Sequence, residues 1–494
     1  MAETTSKLAF VNAHAFDTRV RSEDVRLPEK ILGYLFGPVG PLLAGAVLGS
    51  FLNVYYTDVL NLTPVWGGLF LLVFPIASKV LNAVINVVVG QAIERTRTFQ
   101  GKARPWLLLS APLTLVSVVL VLAVPQAPEP VQLVWVVVSY NLYYSGAQSF
   151  YNMAHNLMVP LSTRDSKARG SLSVLTNVAT TMVTGIIVAM LFPTLVLPLV
   201  GVDRGAWLML SVVLAVLGFV LTMVEYYFTR ERVTEETAAE PAQEIPFAEQ
   251  AKSLVSDKYW VVLMAYLLLY TLSLSFKNMS GVYYCNYVLG TYNDGITFTL
   301  VNVIGGIPMG IGIFAVWPIA KRFGLRNTTM GGFVLVAVGS ALCWIFSRNL
   351  YVVLVGQFIK NIGCLPASYV FMALFADVLD HIEWRFGFRC DGLSSSIYAI
   401  IQTVCVGVAN GVFNLMLGIT GYVAPSIVNG ATVAAQQTPA TQNVFTFFFL
   451  GLDVITAVII VFLLGQLDVE KVIDKEQAEI AERHAAAGDS AKKD

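Results

Sequence analysis

The sequence predicts an all-α membrane protein of twelve transmembrane helices in two six-helix halves. Three observations predict it: an apolar composition, twelve separate apolar runs, and a polar mid-chain break with basic connections on alternate sides. The chain has 494 residues, 56% of them hydrophobic and only 13% charged, with a mean hydropathy of +0.69. A soluble domain carries about a quarter charged residues, so lipid is the expected solvent for most of this surface. The net charge of −1 leaves no global field to recruit nucleic acid. Five cysteines (Cys285, Cys343, Cys364, Cys390, Cys405) show no close pairing, so neither a zinc site nor a disulfide framework is expected.

A membrane helix needs about 20 apolar residues. Such runs fall at 31–56, 64–93, 105–125, 131–160, 169–198, 205–228, 259–289, 295–319, 328–347, 350–378, 392–421 and 443–467. They are called segments one to twelve below. Residues 1–30 are polar, lack the short apolar core of a secretory signal, and read as a cytoplasmic N-terminal segment. The first half is then 31–228, the linker 229–258, the second half 259–467 and the tail 468–494. The linker is Glu-rich and reads as a solvated connection; the tail, charged and Ala-rich, reads as a short surface helix.

Topology follows from Lys and Arg. Arg95, Arg97, Lys102 and Arg104 follow segment two; Arg164, Lys167 and Arg169 follow segment four. The linker, the turn with Lys321, Arg322 and Arg326, and the turn with Arg385 and Arg389 continue the series. The alternate connections hold almost none, Arg204 and Arg348 apart, and 422–442 is uncharged. Both termini are therefore expected on the cytoplasmic side of a plasma membrane crossed many times.

The basic turns after segments two and eight echo each other, and two parallel halves of this kind resemble the major facilitator plan. Longer motifs narrow the resemblance. EKILGYLFGPVG, FLNVYYTDVLNLTP, ERTRTFQGKARPWLLL and ADVLDHIEWRFGFRCDGLSSSIYA resemble the glycoside–pentoside–hexuronide:cation symporters, the melibiose-permease group. The resemblance implies the major facilitator fold and alternating access around a central site. It implies gating by Arg95, Arg97 and Arg104 against Asp377, Asp380 and Glu383. The departures are specific. The two acidic cation-site positions of segment two are Asn82 and Asn86 here, with Lys79 one turn before them. The positions of the family's sugar-binding acids and bases are Leu42, Asn152, Asn177 and Val406. Sodium coupling and the usual sugar are thus not implied.

Residues three and four apart share a helix face. Segment four carries Asn141, Ser145, Gln148, Asn152 and His155; segment five carries Ser173, Asn177, Thr180 and Thr184. Segment seven carries Tyr266, Tyr270, Ser273, Lys277 and Tyr284. Segment ten carries Gln357, Asn361, Cys364 and Ser368 with Lys360 beside them, and segment eleven Tyr398, Gln402 and Asn410. Such stripes avoid lipid. Singly each residue reads as interhelical glue; together they read as the wall of a hydrated cavity. Lys79, Lys277 and Lys360 lie well inside apolar runs, and Asp453 is the one evident acid, on a segment the fold places at the periphery. The ammonium groups suit an anionic substrate, or else snorkel to an interface. His155 reads as a wall residue or as a proton carrier. Lys79 reads as a structural cation or as a fixed charge where relatives bind a mobile one.

The substrate-binding candidates are Asn152, His155, Gln148, Asn177, Tyr270, Lys277, Lys360, Tyr398 and Gln402. The expected activity is secondary transport of a glycoside, hexuronide or related polar or anionic solute. A proton or another monovalent cation is the candidate coupling ion. An uncoupled facilitator and an amphipathic lipid or lysolipid carrier stay open. No HExxH, GxSxG or GxxxxGK[ST] pattern points to an enzyme. No cofactor, metal or nucleic-acid partner is expected, and a monomer suffices.

Overall fold

The computed structural model of the chain describes residues 17–96, 98, 100–163, 165–232, 246–290, 292, 295–388, 390–428 and 431–491. Among these, ten helices are long and apolar enough to cross a membrane. They are Glu29–Val59, Val65–Ile93, Arg104–Leu122, Ala168–Val200, Arg204–Tyr227, Lys258–Leu289, Leu325–Ile345, Leu350–Phe386, Gly392–Thr420 and Pro439–Lys471, and they lie on the predicted segments one to three, five to seven and nine to twelve. Segment four is also helical, over 129–162, but its polar stripe keeps it out of that set. Segment eight is the helix Ile296–Phe323, apolar over its stretch Ile296–Met309.

Large apolar side chains point outward: Leu199 is 84% exposed, Met209 71% and Phe462 69%. Water would not tolerate so broad an apolar surface; acyl chains do. In lipid the backbone must satisfy itself, which explains the helix starts. Asp203 accepts from the Ala206 N–H (2.7 Å), Asp257 from Trp260 (3.0 Å), and Asn349 from Tyr351 and Val352 (3.1 and 3.3 Å). The wider π turns at Leu142–Ala147 and Met182–Val196 loosen segments four and five without breaking them.

Two carboxylates perform the same task at matched places. Glu231, just after segment six, accepts from the N–H groups of Lys102, Ala103 and Arg104 (2.9, 2.8 and 2.8 Å) at the start of segment three. Glu470, just after segment twelve, accepts from Leu325 and Arg326 (2.5 and 2.8 Å) at the start of segment nine. Each places an anion on orphan donors at the positive end of a helix dipole.

By packing, the chain forms two compact units: Met1–Ala239 with Asn293–Thr299 and Gly421–Gln436, and Glu240–Tyr292 with Leu300–Thr420 and Gln437–Asp494. In the first unit, segment one lies against segment six through glycines. A Cβ on Gly37 would sit 2.6 Å from Glu225 Cβ, and one on Gly40 2.5 Å from the Leu217 carbonyl. In the second unit, segments nine and ten touch backbone to backbone. A Cβ on Gly332 would meet the Gly363 carbonyl at 2.5 Å, and one on Gly339 the Gly356 carbonyl at 2.7 Å. Small residues let membrane helices approach this closely, and here they set where Lys360 lies.

Three features differ from expectation. The linker is more than a solvated connection: Phe247–Ser256 is a helix whose Leu254 is fully buried in the second unit's core. The tail helix Ile473–Ala491 is held to the end of segment ten rather than free on the surface, with Gln477 donating to Asp380 (2.7 Å) and Trp384 to Glu479 (2.6 Å). The uncharged connection 422–442 contains a hairpin, Ser426–Val428 paired antiparallel with Ala431–Val433. Glu231→Gln and Glu470→Gln should each lower stability in detergent by about 1 kcal/mol, read as a lower melting temperature; unchanged melting of both would show the caps to be idle.

Candidate functional site

In the first unit the predicted cation-site positions are filled by the protein itself. The Asn82 amide donates to the Tyr144 carbonyl (2.7 Å) and the Ser149 hydroxyl (3.1 Å), and its oxygen accepts from Asn86 (3.3 Å). The Tyr144 carbonyl lies in the π turn of segment four, where side chains replace regular helix bonds; Ser149 donates to it as well (3.0 Å). The Lys79 ammonium sits 4.2 Å from the centre of the Tyr144 ring, a cation–π contact. Segments two and four are thus joined by amides and one lysine, where a carboxylate pair would have called for a bound cation.

His155 is not an open wall residue. It is 6% exposed, and its Nδ1 lies 2.6 Å from Glu225 of segment six, whose other oxygen accepts from Tyr151 (2.8 Å). Glu225, three residues from the end of segment six, is fully buried, so the expectation of a single buried acid in the chain is corrected. Of the other first-unit candidates, Gln148 is half-buried with its amide against Gly45 of segment one. Asn152 and Asn177 are exposed on segments four and five.

The second unit contains a cavity of about 310 Å³ of mixed polar and apolar lining, drawn from segments seven, eight, nine, ten and twelve. Tyr270, Ser273 and Lys277 come from segment seven, Asn302 from eight, Gln357, Lys360, Asn361 and Ser368 from ten, and Asp453 and Thr456 from twelve. The striped faces read from segments seven and ten therefore meet at one place. Segment twelve is not peripheral to them. Lys360, 3% exposed, forms an ion pair with Asp453, and Ser273 and, through it, Thr456 complete the network. The expectation that Lys360 lacks a carboxylate is thus corrected; the close approach of segments nine and ten turns it toward segment twelve. Lys277 is half-buried on the same cavity, with the Phe449 ring centre 5.9 Å from its Nζ. Asn361 donates to the Gly305 carbonyl (2.7 Å) across to segment eight. Tyr398 and Gln402 are brought together (2.7 Å) but away from this cavity, with Tyr398 against Phe371 and Phe375.

Of the gating candidates, Arg104 and the three acids of segment ten are described. Arg97 and the side chain of Arg95 lie outside the described residues. Arg104, expected to reach the carboxylates of segment ten, is 2% exposed inside the first unit. It donates to the Tyr226 carbonyl (3.0 Å) with its guanidinium 4.6 Å over that ring, because a buried planar cation needs both a carbonyl and a π face. Asp377, Asp380 and Glu383 are half-buried at the end of segment ten. Beside them His381 bridges Glu476 (2.8 Å) and Asp257 (3.3 Å), and Arg385 also reaches Asp257 (3.1 Å). Burial works to raise the Asp257 carboxyl, but His381, the Trp260 N–H and Arg385 outweigh it and hold the group below the usual carboxylate range. Among the described residues no His, Cys, Asp and Glu cluster is suited to a metal ion.

A helical membrane bundle with a solute-sized cavity bearing polar and charged groups among its spans is the architecture of a transporter. The chain belongs to the MFS/sugar transport protein family, whose model it matches over residues 33–471. The sequence is similar to an isoprimeverose transporter of Lactiplantibacillus pentosus, 27% identical with 90% of this chain and 89% of the relative covered. It is also similar to a glucuronide carrier protein homolog of Escherichia coli, 25% identical with 85% and 91% covered. In fold it resembles a crystal structure of a nucleoside transporter, with a TM-score of 0.56 and 14% identity over 88% of this chain and 99% of that one. The family resemblance read from the four sequence motifs is borne out, and the protein is a multi-pass membrane transporter rather than an enzyme. Lys360→Ala should destabilise by about 3 to 5 kcal/mol, by leaving Asp453 buried and unpaired, and Lys360→Ala with Asp453→Ala should recover most of the loss. A double variant as unstable as the sum of the singles would show that the two groups do not interact.

Proposed function

We propose that the protein is a secondary transporter of the plasma membrane that moves a glycoside, hexuronide or related polar solute by alternating access. The cavity of the second unit carries this reading: about 310 Å³ of space among the spans, the lower end of small-molecule pocket size, where amides, hydroxyls, two lysines and Asp453 share the wall with apolar side chains. Amides and hydroxyls match sugar hydroxyls in number and kind. Leu274, Val301, Met309, Phe333, Val336 and Ile460 share the wall, but a lipid tail would leave Lys277, Lys360 and the amides without partners, so the carbohydrate class is preferred. The isoprimeverose and glucuronide relatives support the same class, one neutral and one anionic. We take segments four and eight as the two spans that complete twelve, both termini as cytoplasmic and the monomer as the working unit.

Sodium is not the coupling ion on this reading. Lys79, Asn82 and Asn86 already bond one another's neighbourhood, and a neutral amide pair holds a hard cation more weakly than carboxylates. Coupling, where it operates, uses a proton or another monovalent cation. Purified protein in proteoliposomes should take up a methyl glucuronide or a small neutral glycoside at the same rate when sodium is replaced by choline. A several-fold fall in choline would contradict the assignment at segment two, and no uptake of any sugar-class solute would contradict the transport reading itself.

A further inference from the structure

We propose that the cavity of the second unit is a subsite for a singly charged oxyanion, a carboxylate or sulfonate on a polyhydroxylated solute, anchored by Lys277. The proposal deepens the transport reading and rests on it. Three ionisable side chains of fixed sign face the cavity: Lys277, Lys360 and Asp453. Asp453 is bound to Lys360 and takes the Ser273 hydroxyl as well, so the Lys360 charge is cancelled within the protein. Lys277 forms no ion pair with a carboxylate among the described residues, and it lines the same cavity as Lys360.

The net charge of the cavity is therefore one positive. A lone ammonium in a membrane interior is costly, and a second ammonium beside it raises the cost. Lys79 meets the same problem with a ring face 4.2 Å away, whereas the ring nearest Lys277 stands at 5.9 Å, the edge of the useful range. A ligand anion supplies what the protein leaves out. Gln357, Asn361 and Ser368 line the same space and offer hydrogen bonds to hydroxyl groups on the rest of the solute. A monoanion brings the cavity to neutrality; a dianion overshoots and a neutral sugar leaves Lys277 as it was. Asp453 thus sets which ligand charge fits, although it touches Lys360 rather than the anion.

The test is titration calorimetry on the full chain in lipid nanodiscs, with methyl glucuronide, a sulfonated glucoside, methyl glucoside and glucose 6-phosphate as probes. The two monoanions should bind at least about tenfold more tightly than methyl glucoside, a difference of about 1.4 kcal/mol. Lys277→Gln should abolish that preference. Lys360→Gln with Asp453→Asn, which removes the internal pair without stranding either partner, should keep it. Asp453→Asn alone should shift preference toward the sugar phosphate. Anion preference that survives Lys277→Gln, or that disappears in the paired double variant, overturns the proposal. So does equal binding of glucuronide and glucoside, or no binding of either monoanion, by wild-type protein. None of these touches the transport reading, which fails only if proteoliposomes take up no sugar-class solute.

Discussion

A charge inside a membrane needs a partner, and this constraint organises the interior of both units. Burial in a low-dielectric medium disfavours an isolated ion by several kcal/mol, so each deeply placed charge is found against its complement. Glu225 has His155 and Tyr151, Asp453 has Lys360 and Ser273, Arg104 has the carbonyl and ring of Tyr226, and Lys79 has the ring of Tyr144. Close helix packing makes these short-range pairs possible. Glycine contacts draw segment one to segment six and segment nine to segment ten, fixing the rotation of each helix. Lys277 stands out against this pattern, half-buried beside an ion pair that does not include it.

The same requirement governs the backbone. Orphan N–H groups at helix starts would be costly where water is scarce. The second connection of each half meets the need in a repeated way: a carboxylate just after the sixth or twelfth segment lies across the start of the third or ninth. In the second unit this capping segment runs directly into the tail helix. Asp257, His381 and Glu476 then tie together the start of segment seven, the end of segment ten and the tail. The tail is therefore part of the folded unit rather than an appendage.

Much of the fold was legible in the sequence because its signal is one-dimensional. A run of about 20 apolar residues is a span wherever it occurs, and the helix bounds fall close to the runs except at segment ten, whose span continues to Phe386. Segment four shows the limit: its polar stripe was legible, but the same stripe makes its helix too polar to count as a span by composition. The site was legible in part. The faces bearing Tyr270, Ser273 and Lys277 and bearing Gln357, Lys360 and Asn361 were read from helical spacing alone, and the structure joins them on one cavity. Partners were not legible, because they depend on helix rotation and neighbour order. Asp453 read as peripheral yet pairs with Lys360; Glu225, near the end of its run, lies fully buried with no sign of it in the spacing. Arg104 read as a gate in a basic turn, and nothing in that turn foretold the Tyr226 ring above it. The hairpin at 426–433 was hidden in an uncharged connection without a strong turn signal.

The account divides the two cavity lysines into one that is paired and one that is free, and amine reactivity measures that division directly. Protein in native membranes would be treated briefly with a small water-soluble acetylating reagent, and modification at each lysine followed by peptide mass spectrometry. Lys277 should react readily and be protected by methyl glucuronide, while Lys360, held by Asp453, should react at least about tenfold more slowly, as a difference of about 1.4 kcal/mol in availability requires. Equal reactivity of the two lysines, or protection of Lys360 but not Lys277 by the glucuronide, would contradict the account.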